Sequence, residues 1–125
     1  MTKRRKHERL VGAKEVFAAI FRDGSVPVAG QIADISAGGV GLNYLALKDL
    51  GIGKFNLYLF SSGEHPCHLE RLKCRVIYNA LIQGRSWGEL LCWRCGIQFE
   101  PLPENTRGKL RNFIADLGRS LVGPS

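Results

Sequence analysis

Short segments in which apolar and polar residues alternate dominate the chain between residues 15 and 99. The clearest spans residues 71–78, where apolar side chains occupy every second position and basic side chains lie between them. A repeat of two residues is that of a β-strand with one buried face. Similar segments at 15–22, 26–33, 40–47, 54–60 and 91–99 bring the prediction to about six strands. Since no helical pattern separates them, we expect antiparallel pairing and closure into a small barrel.

The end of the chain follows a different period. Apolar residues recur there at i, i+3, i+4 and i+7, namely at Leu110, Phe113, Ile114 and Leu117. This is the stripe of an amphipathic helix, for which Asn105 is a candidate N-cap and Gly118 a candidate stop. The predicted fold is therefore mostly β, a six-stranded antiparallel β-barrel with a C-terminal α-helix. Residues 13–118 would form this domain, and residues 119–125 a tail.

Charge is concentrated at the start of the chain. The net charge is +7, and residues 1–9 contain five basic residues and one acidic residue. We interpret residues 1–12 as a flexible basic segment. Such a segment attracts the phosphates of a nucleic acid or a small ligand, or is a solvated arm without a specific partner.

The remaining composition excludes several classes of protein. Apolar residues make up 45% of the chain and charged residues 23%, as in an ordinary globular domain. No apolar run approaches the ~18 residues of a membrane span, and residues 11–15 interrupt any signal-peptide core. We therefore expect a cytoplasmic protein of one domain, with its four cysteines reduced.

A polar turn separates the second and third predicted strands. It has the sequence Asp34-Ile35-Ser36-Ala37-Gly38-Gly39. Aspartate and serine side chains bond nearby backbone groups and hold tight turns. Because Gly38 and Gly39 have no side chains, they permit close approach to the backbone by another molecule. Taken by itself, the turn is equally compatible with a well-made hairpin.

The basic segment contains the pair Arg5-x-x-x-Arg9. A guanidinium is a planar set of donors that fits phosphate and the O6/N7 edge of guanine. The carboxylate of Asp34 complements it, because it accepts from the N1–H and exocyclic amine of guanine, and the Ser36 hydroxyl can donate to a phosphate. The two segments together suit a guanine nucleotide.

At this point the sequence resembles the PilZ family. The resemblance lies in Arg5-x-x-x-Arg9, followed 25 residues after Arg9 by Asp34-x-Ser36-x-x-Gly39. The strand at 94–99, with its Gly-apolar-x-Phe pattern, and the helix after it are also similar to that family. The resemblance covers nearly the whole chain.

The resemblance implies a six-stranded antiparallel barrel that binds cyclic di-GMP (c-di-GMP). Arg5 and Arg9 would grip guanine and phosphate, and Asp34 and Ser36 would contact them from the barrel surface. Gly38 and Gly39 would allow close backbone approach. A basic residue before the first arginine, Arg4 here, accompanies a stacked pair of ligands in this family, which implies two molecules per domain. Ordering of the segment by ligand would signal to a downstream protein that the sequence does not identify, so the chain resembles a stand-alone adaptor.

The sequence also contains candidate residues for two other kinds of site, a zinc site and an enzyme active site. Cys92 and Cys95 have the spacing of a zinc-binding pair, with His65, Cys67, His68 and Cys74 upstream. Residues i and i+3 of a strand point to opposite faces, so structural cysteines and no metal are predicted. The histidines have no orienting carboxylate at a recognisable spacing and no phosphate-binding loop of the P-loop type occurs, so we predict neither an enzyme nor a resident cofactor.

The alternative function is binding of RNA or single-stranded DNA. Arg71, Lys73 and Arg75 would form an exposed basic row on a small β-barrel. Such barrels also need aromatic side chains on which bases stack. Trp93 and Phe99 fall on an apolar face, which leaves Tyr44 and Trp87 as the candidates.

Overall fold

Seven strands and one helix account for most of the chain. The structure, a computed structural model, describes residues 10–11, 16–61 and 67–122. In chain order the elements are β1 (Leu10–Val11), β2 (Val16–Phe21), β3 (Val28–Ser36), β4 (Gly39–Ala46), β5 (Gly53–Ser61), β6 (Cys67–Trp87), β7 (Leu90–Phe99) and α1 (Glu104–Val122).

Six of the strands pair antiparallel in a closed ring. Their order is β3-β2-β5-β6-β7-β4, and pairing of β4 with β3 completes the ring. The short strand β1 adds to β3, with Leu10 opposite Ile35 and Val11 opposite Asp34. The predicted fold, six antiparallel strands with a C-terminal helix, is confirmed. Closure leaves no long unpaired strand edge in the ring.

The core fills the inside of the ring with alternate residues of every ring strand. Ile20, Leu42, Leu57, Leu72 and Ile97 have at most 2% of their surface exposed. Each such side chain contributes about 1.5–3 kcal/mol by its removal from water. Leu110 and Phe113, from the predicted stripe of α1, are buried in the same core, so the helix covers the ring as the pattern indicated.

Strand β6 departs most from the sequence prediction. It continues through residues 79–87, which lie outside the predicted strands, because its residues pair with β7 as far as Trp87 opposite Leu90. Tyr78 was expected on the buried face with Val76, but it is 45% exposed. A register shift between the two residues is the reason, since an extra residue in a strand reverses the faces that follow.

The helix also has different ends from those predicted. It begins at Glu104, and the carbonyl of Pro103 accepts the first helical hydrogen bond, from Arg107. Asn105 therefore lies inside the first turn and is not the N-cap. The helix runs through Gly118 to Val122. A single glycine costs about 1 kcal/mol in a helix, which is not enough to end it here. No helix in the described ranges has the length and apolar character needed to cross a membrane.

Candidate ligand-binding site

The structure describes four of the seven predicted site residues. Arg4, Arg5 and Arg9 lie outside the described residues. Asp34 and Ser36 are near the end of β3, Gly38 is in the turn, and Gly39 begins β4. These four lie together as the spacing predicted.

Ser36 holds the turn closed. Its Oγ accepts a hydrogen bond from the Gly38 amide at 3.1 Å and donates one to the Gly39 carbonyl at 3.5 Å. The Gly38 carbonyl accepts from the Phe99 amide at 3.0 Å, which ties the turn to the end of β7. Ser36 is only 2% exposed, so the serine stabilises the turn from within.

Gly39 is required by the packing of the strands. A Cβ at this position would overlap the carbonyl oxygen of Ile97 in β7. We expected close backbone approach by a ligand at this glycine; the described contact is with the protein's own backbone. A side chain here would push β4 away from β7.

Asp34 forms an ion pair that the sequence analysis missed. Its Oδ2 accepts a hydrogen bond from Nη2 of Arg94 at 2.6 Å. The Asp34 side chain is 13% exposed and that of Arg94 32%, so the pair is largely screened from water. Arg94 holds the carboxylate in one orientation near the surface. The only sequence signal for Arg94 was its place on the polar side of β7.

Glycines make room beside this ion pair. A Cβ on Gly41 would lie 2.6 Å from Nη2 of Arg94 and 3.0 Å from Oδ2 of Asp34. Gly41 is paired with Gly96 of β7, and a Cβ on Gly96 would overlap the ring of Tyr78. Gly41 did not stand out in the sequence, because it sits inside a strand that looked simply apolar, and Gly96 was noted only as part of the Gly-apolar-x-Phe pattern of its strand.

These residues form a transverse strip on the outer face of the ring. Asp34 of β3 is opposite Gly41 of β4, Gly41 is opposite Gly96 of β7, and Gly96 is opposite Tyr78 of β6. We call these four residues the glycine strip. Three strand spacings of about 4.8 Å give it a length of ~14 Å. A carboxylate stands at one end and an aromatic ring at the other, and between them the Arg94 guanidinium lies against Gly41 and the Tyr78 ring against Gly96.

The aromatic candidates for nucleic-acid stacking are separated from the basic row. Tyr44 is 2% exposed; its hydroxyl donates to Oδ1 of Asn79 at 2.5 Å and accepts from the Leu50 amide at 2.9 Å. Burial raises the pKa of Tyr44 to about 12, so its hydroxyl stays a donor inside the fold, and Tyr44 is excluded as a stacking group. Trp87 is 73% exposed but stands at the far end of β6 from Arg75.

The cysteines of β7 lie on different sides of the strand. Cys95 is buried and Cys92 half-buried. Burial raises the pKa of the Cys95 and Cys74 thiols to about 12, so both stay protonated and are poor metal ligands or nucleophiles. Within the described ranges, no three histidine, cysteine or acidic side chains are grouped in a way that would hold a metal ion.

Comparisons with known proteins agree with the family resemblance seen in the sequence. The PilZ domain family matches residues 3–116 of the chain, whereas no curated protein sequence matches it. The fold is similar to the PilZ domain of YcgR from Escherichia coli, solved with c-di-GMP, with a TM-score of 0.74, 16% identity and 95% of each chain covered. It is also similar to the MrkH–c-di-GMP complex of K. pneumonia, with a TM-score of 0.66, 17% identity, and 93% of this chain and 53% of that chain covered.

A longer YcgR structure from Escherichia coli, also in complex with c-di-GMP, has a TM-score of 0.67 and 14% identity, over 95% of this chain and 48% of that one. The present chain thus spans about half the length of the MrkH and longer YcgR chains. At these identities the likeness shows a shared fold.

Proposed function

This chain belongs to the PilZ domain family, and from that premise we propose that it is a non-catalytic receptor for c-di-GMP, which binds along the glycine strip. The observation that carries the proposal is the strip itself. It places a fixed carboxylate, the guanidinium that holds it and an exposed aromatic ring side by side on the outer face of the ring. The similar YcgR and MrkH structures were solved with this nucleotide.

Each end of the strip suits one feature of guanine. A carboxylate has about four lone-pair directions, so Asp34 accepts from the guanine N1–H and amine in addition to Arg94. The Tyr78 ring offers a face for stacking, which contributes about 1–3 kcal/mol per base. Gly41 and Gly96 leave room for the Arg94 guanidinium and the Tyr78 ring to lie against the sheet, which positions both groups for the base.

The basic segment supplies the counter-charge for the phosphates. Arg9 is bonded to Leu10, which pairs with Ile35, the neighbour of Asp34. Arg5 is five residues before Leu10, a distance that extended chain covers in at most ~17 Å. Both arginines are thus within reach of a ligand on the glycine strip. Binding would draw residues 1–9 onto the ring beside β1, and the surface so formed would be the signal to a downstream protein.

The same proposal includes the role of the turn, the number of ligands and the cellular location. Gly38 and Ser36 would present the turn to a phosphate, and Arg4 is the reason to propose two ligand molecules per domain. A receptor of this kind would work in the cytoplasm. RNA or single-stranded DNA binding has less support, because the similar YcgR and MrkH structures were solved with c-di-GMP, and Tyr44, one of the two predicted stacking rings, is buried.

Calorimetric titration with c-di-GMP tests the proposal. We expect micromolar or tighter binding by the wild type. Arg9→Ala and Asp34→Asn should each weaken it by about 10- to 100-fold, since a bidentate contact is worth ~1–3 kcal/mol. Matched controls are Arg85→Ala, at an exposed position of β6, and Asp23→Asn, in an exposed turn; both should bind like the wild type. If the wild type shows no binding at tens of micromolar c-di-GMP, the proposed function is wrong.

A further inference from the structure

The outer face of β2 and β5 carries a group of aromatic rings, and these two strands contribute no residue to the glycine strip. The ring of Phe17 stacks on that of Phe60, with the two centroids 6.0 Å apart. The rings of Phe21 and Tyr58 meet edge to face, with centroids 5.2 Å apart. Phe17 is 36% exposed and Phe60 39%. We call these four residues the aromatic face. Contiguous exposed apolar surface of this kind indicates a binding site.

Strand register places the aromatic face beside the cations of β6. Phe60 of β5 is opposite His68 of β6. Two outward positions further along β5, Asn56 is opposite Lys73. Tyr58 lies between these two pairs on the same side of β5. Since neighbouring strands are about 4.8 Å apart, the cationic side chains of β6 run alongside the rings of β5.

A β-bulge in β6 adds a second cation next to the aromatic face. Between the partners of Leu57 and Leu59, β6 has two residues, Glu70 and Arg71, where β5 has only Tyr58. Arg71 has a φ of 54°, in the left-handed region that residues with a side chain rarely adopt. Bulges of this kind re-aim a side chain. Here the bulge leaves the side chain of Arg71 exposed.

The charge of this surface is strongly positive. Strands β2, β5 and β6 together contain five lysine or arginine residues and one acidic residue, Glu70. The carboxylate of Glu70 lies 3.4 Å from Nε2 of His68. Neither Arg71 nor Lys73 forms an ion pair with a described residue. Cations without a described counter-charge, next to exposed rings, suit a partner that is both anionic and aromatic.

We propose that the aromatic face and the cations beside it bind single-stranded nucleic acid. Bases stack on Phe60 and Tyr58, while phosphates lie along β6 against Arg71 and Lys73. Outward residues of a strand recur every ~7 Å, so the rings and the cations form two parallel lines that match a polymer with a base and a phosphate in each repeat. An acidic peptide would satisfy the cations but has no flat ring in each repeat. This is a second activity on another side of the ring, and it does not depend on c-di-GMP binding.

Fluorescence anisotropy of the full chain with a labelled oligothymidylate of about 15 nucleotides tests the proposal. The wild type should bind with micromolar affinity at low salt. Phe60→Ala should weaken binding about tenfold because one stacking contact is lost, whereas Phe60→Tyr keeps a ring and should bind like the wild type. The matched control is Trp87→Ala, which removes a ring that is 73% exposed at the opposite end of β6 and should leave the affinity unchanged.

A charge variant keeps every ring in place. Lys73→Gln should lower the slope of log affinity against log salt concentration by about 0.7, the contribution of one phosphate contact with a single strand. Lys109→Gln removes the same charge from an exposed position of α1 and should leave the slope unchanged. Equal slopes in these two variants would show general attraction to a basic protein and would overturn the site.

Polyglutamate serves as a competitor that has the charge of the oligonucleotide but no bases. It should displace the oligonucleotide poorly at equal charge concentration. Equally effective displacement would assign this surface to an acidic polypeptide and overturn the proposal. Wild-type affinity in Phe60→Ala, or no binding by the wild type at tens of micromolar protein, would overturn it as well. Each of these results leaves the c-di-GMP proposal standing, because the variants lie outside the glycine strip.

Discussion

Two regions on the outer face of the ring differ in whether their charged side chains form ion pairs. In the glycine strip, Asp34 is paired with Arg94 and both are largely screened from water. In the cleft lined by Lys54, Arg75, Gln98 and Glu100, which we call the basic cleft, the two cations are exposed and form no ion pair with a described residue. The first arrangement is part of the packing of β3, β4 and β7, whereas the second lies on top of a sheet that is complete without it. Substitutions at the packed glycines and the ion pair should therefore change stability strongly, and those at the exposed cations should change it little.

The largest effect on stability is expected at Gly39, where the backbones of β4 and β7 are in close contact. Gly39→Ala should lower the free energy of unfolding by about 3 kcal/mol, because its Cβ overlaps the Ile97 carbonyl and no side-chain rotation can relieve the overlap. Urea denaturation measures the change. Gly108→Ala in α1 is the control; it meets nothing closer than 3.9 Å and should raise the value by ~0.5–1 kcal/mol. Equal effects of the two substitutions would contradict this description of the contact between β4 and β7.

The contributions of Asp34 and Arg94 to the free energy of unfolding should be coupled. Arg94→Gln leaves the Asp34 carboxylate poorly solvated and should cost about 2 kcal/mol of unfolding free energy. Combining it with Asp34→Asn should recover part of that loss, since the uncompensated charge is then gone. A double-mutant cycle in urea measures the interaction. Strictly additive effects would show that the two side chains do not act as a pair.

The ring at the end of the strip should matter for ligand more than for the fold. Tyr78→Ala should weaken c-di-GMP binding about tenfold through lost stacking, and Tyr78→Phe should bind like the wild type. Titration calorimetry distinguishes the two. Since Tyr78 is 45% exposed, the loss of stability in Tyr78→Ala should remain below about 1 kcal/mol. Wild-type affinity in Tyr78→Ala would remove the ring from the site.

The smallest effect is expected in the basic cleft. Arg75→Gln relieves the like-charge contact with Lys54 and should raise the unfolding free energy by a few tenths of a kcal/mol, at low salt only. At about 1 M salt the difference should vanish, since the Debye length is then ~3 Å. Urea titrations at both salt concentrations check it. Destabilisation that persists at high salt would mean that Arg75 has a packing role.

The sequence was most informative where one strand or one turn carries its own signal. Alternation located the ring strands, and the residue types of the turn at Asp34–Gly39 drew attention to that site. The partnership of Asp34 with Arg94 could not be predicted, because it depends on β4 lying between β3 and β7. Strand order is a property of the whole sheet and leaves no mark on a single strand.

Two other features, both in β6, could not be predicted from the sequence for related physical reasons. Tyr78 belongs to an alternating pattern, but the register shift after Val76 turns it outward, and a β-bulge has no strong sequence signal. The stretch at 79–87 lacks regular alternation, yet pairing with β7 keeps it in β6. In both cases the partner strand determined the conformation more than local preference did.

Chemical-shift mapping by nuclear magnetic resonance tests the central claim most directly. As c-di-GMP is added to the labelled protein, amide signals of Asp34, Gly41, Gly96 and Tyr78 should shift together, and those of Lys109 and Arg111 in α1 should not. Such a result would locate the nucleotide on the glycine strip. Shifts confined to other surfaces, or no shifts at saturating c-di-GMP, would contradict the account.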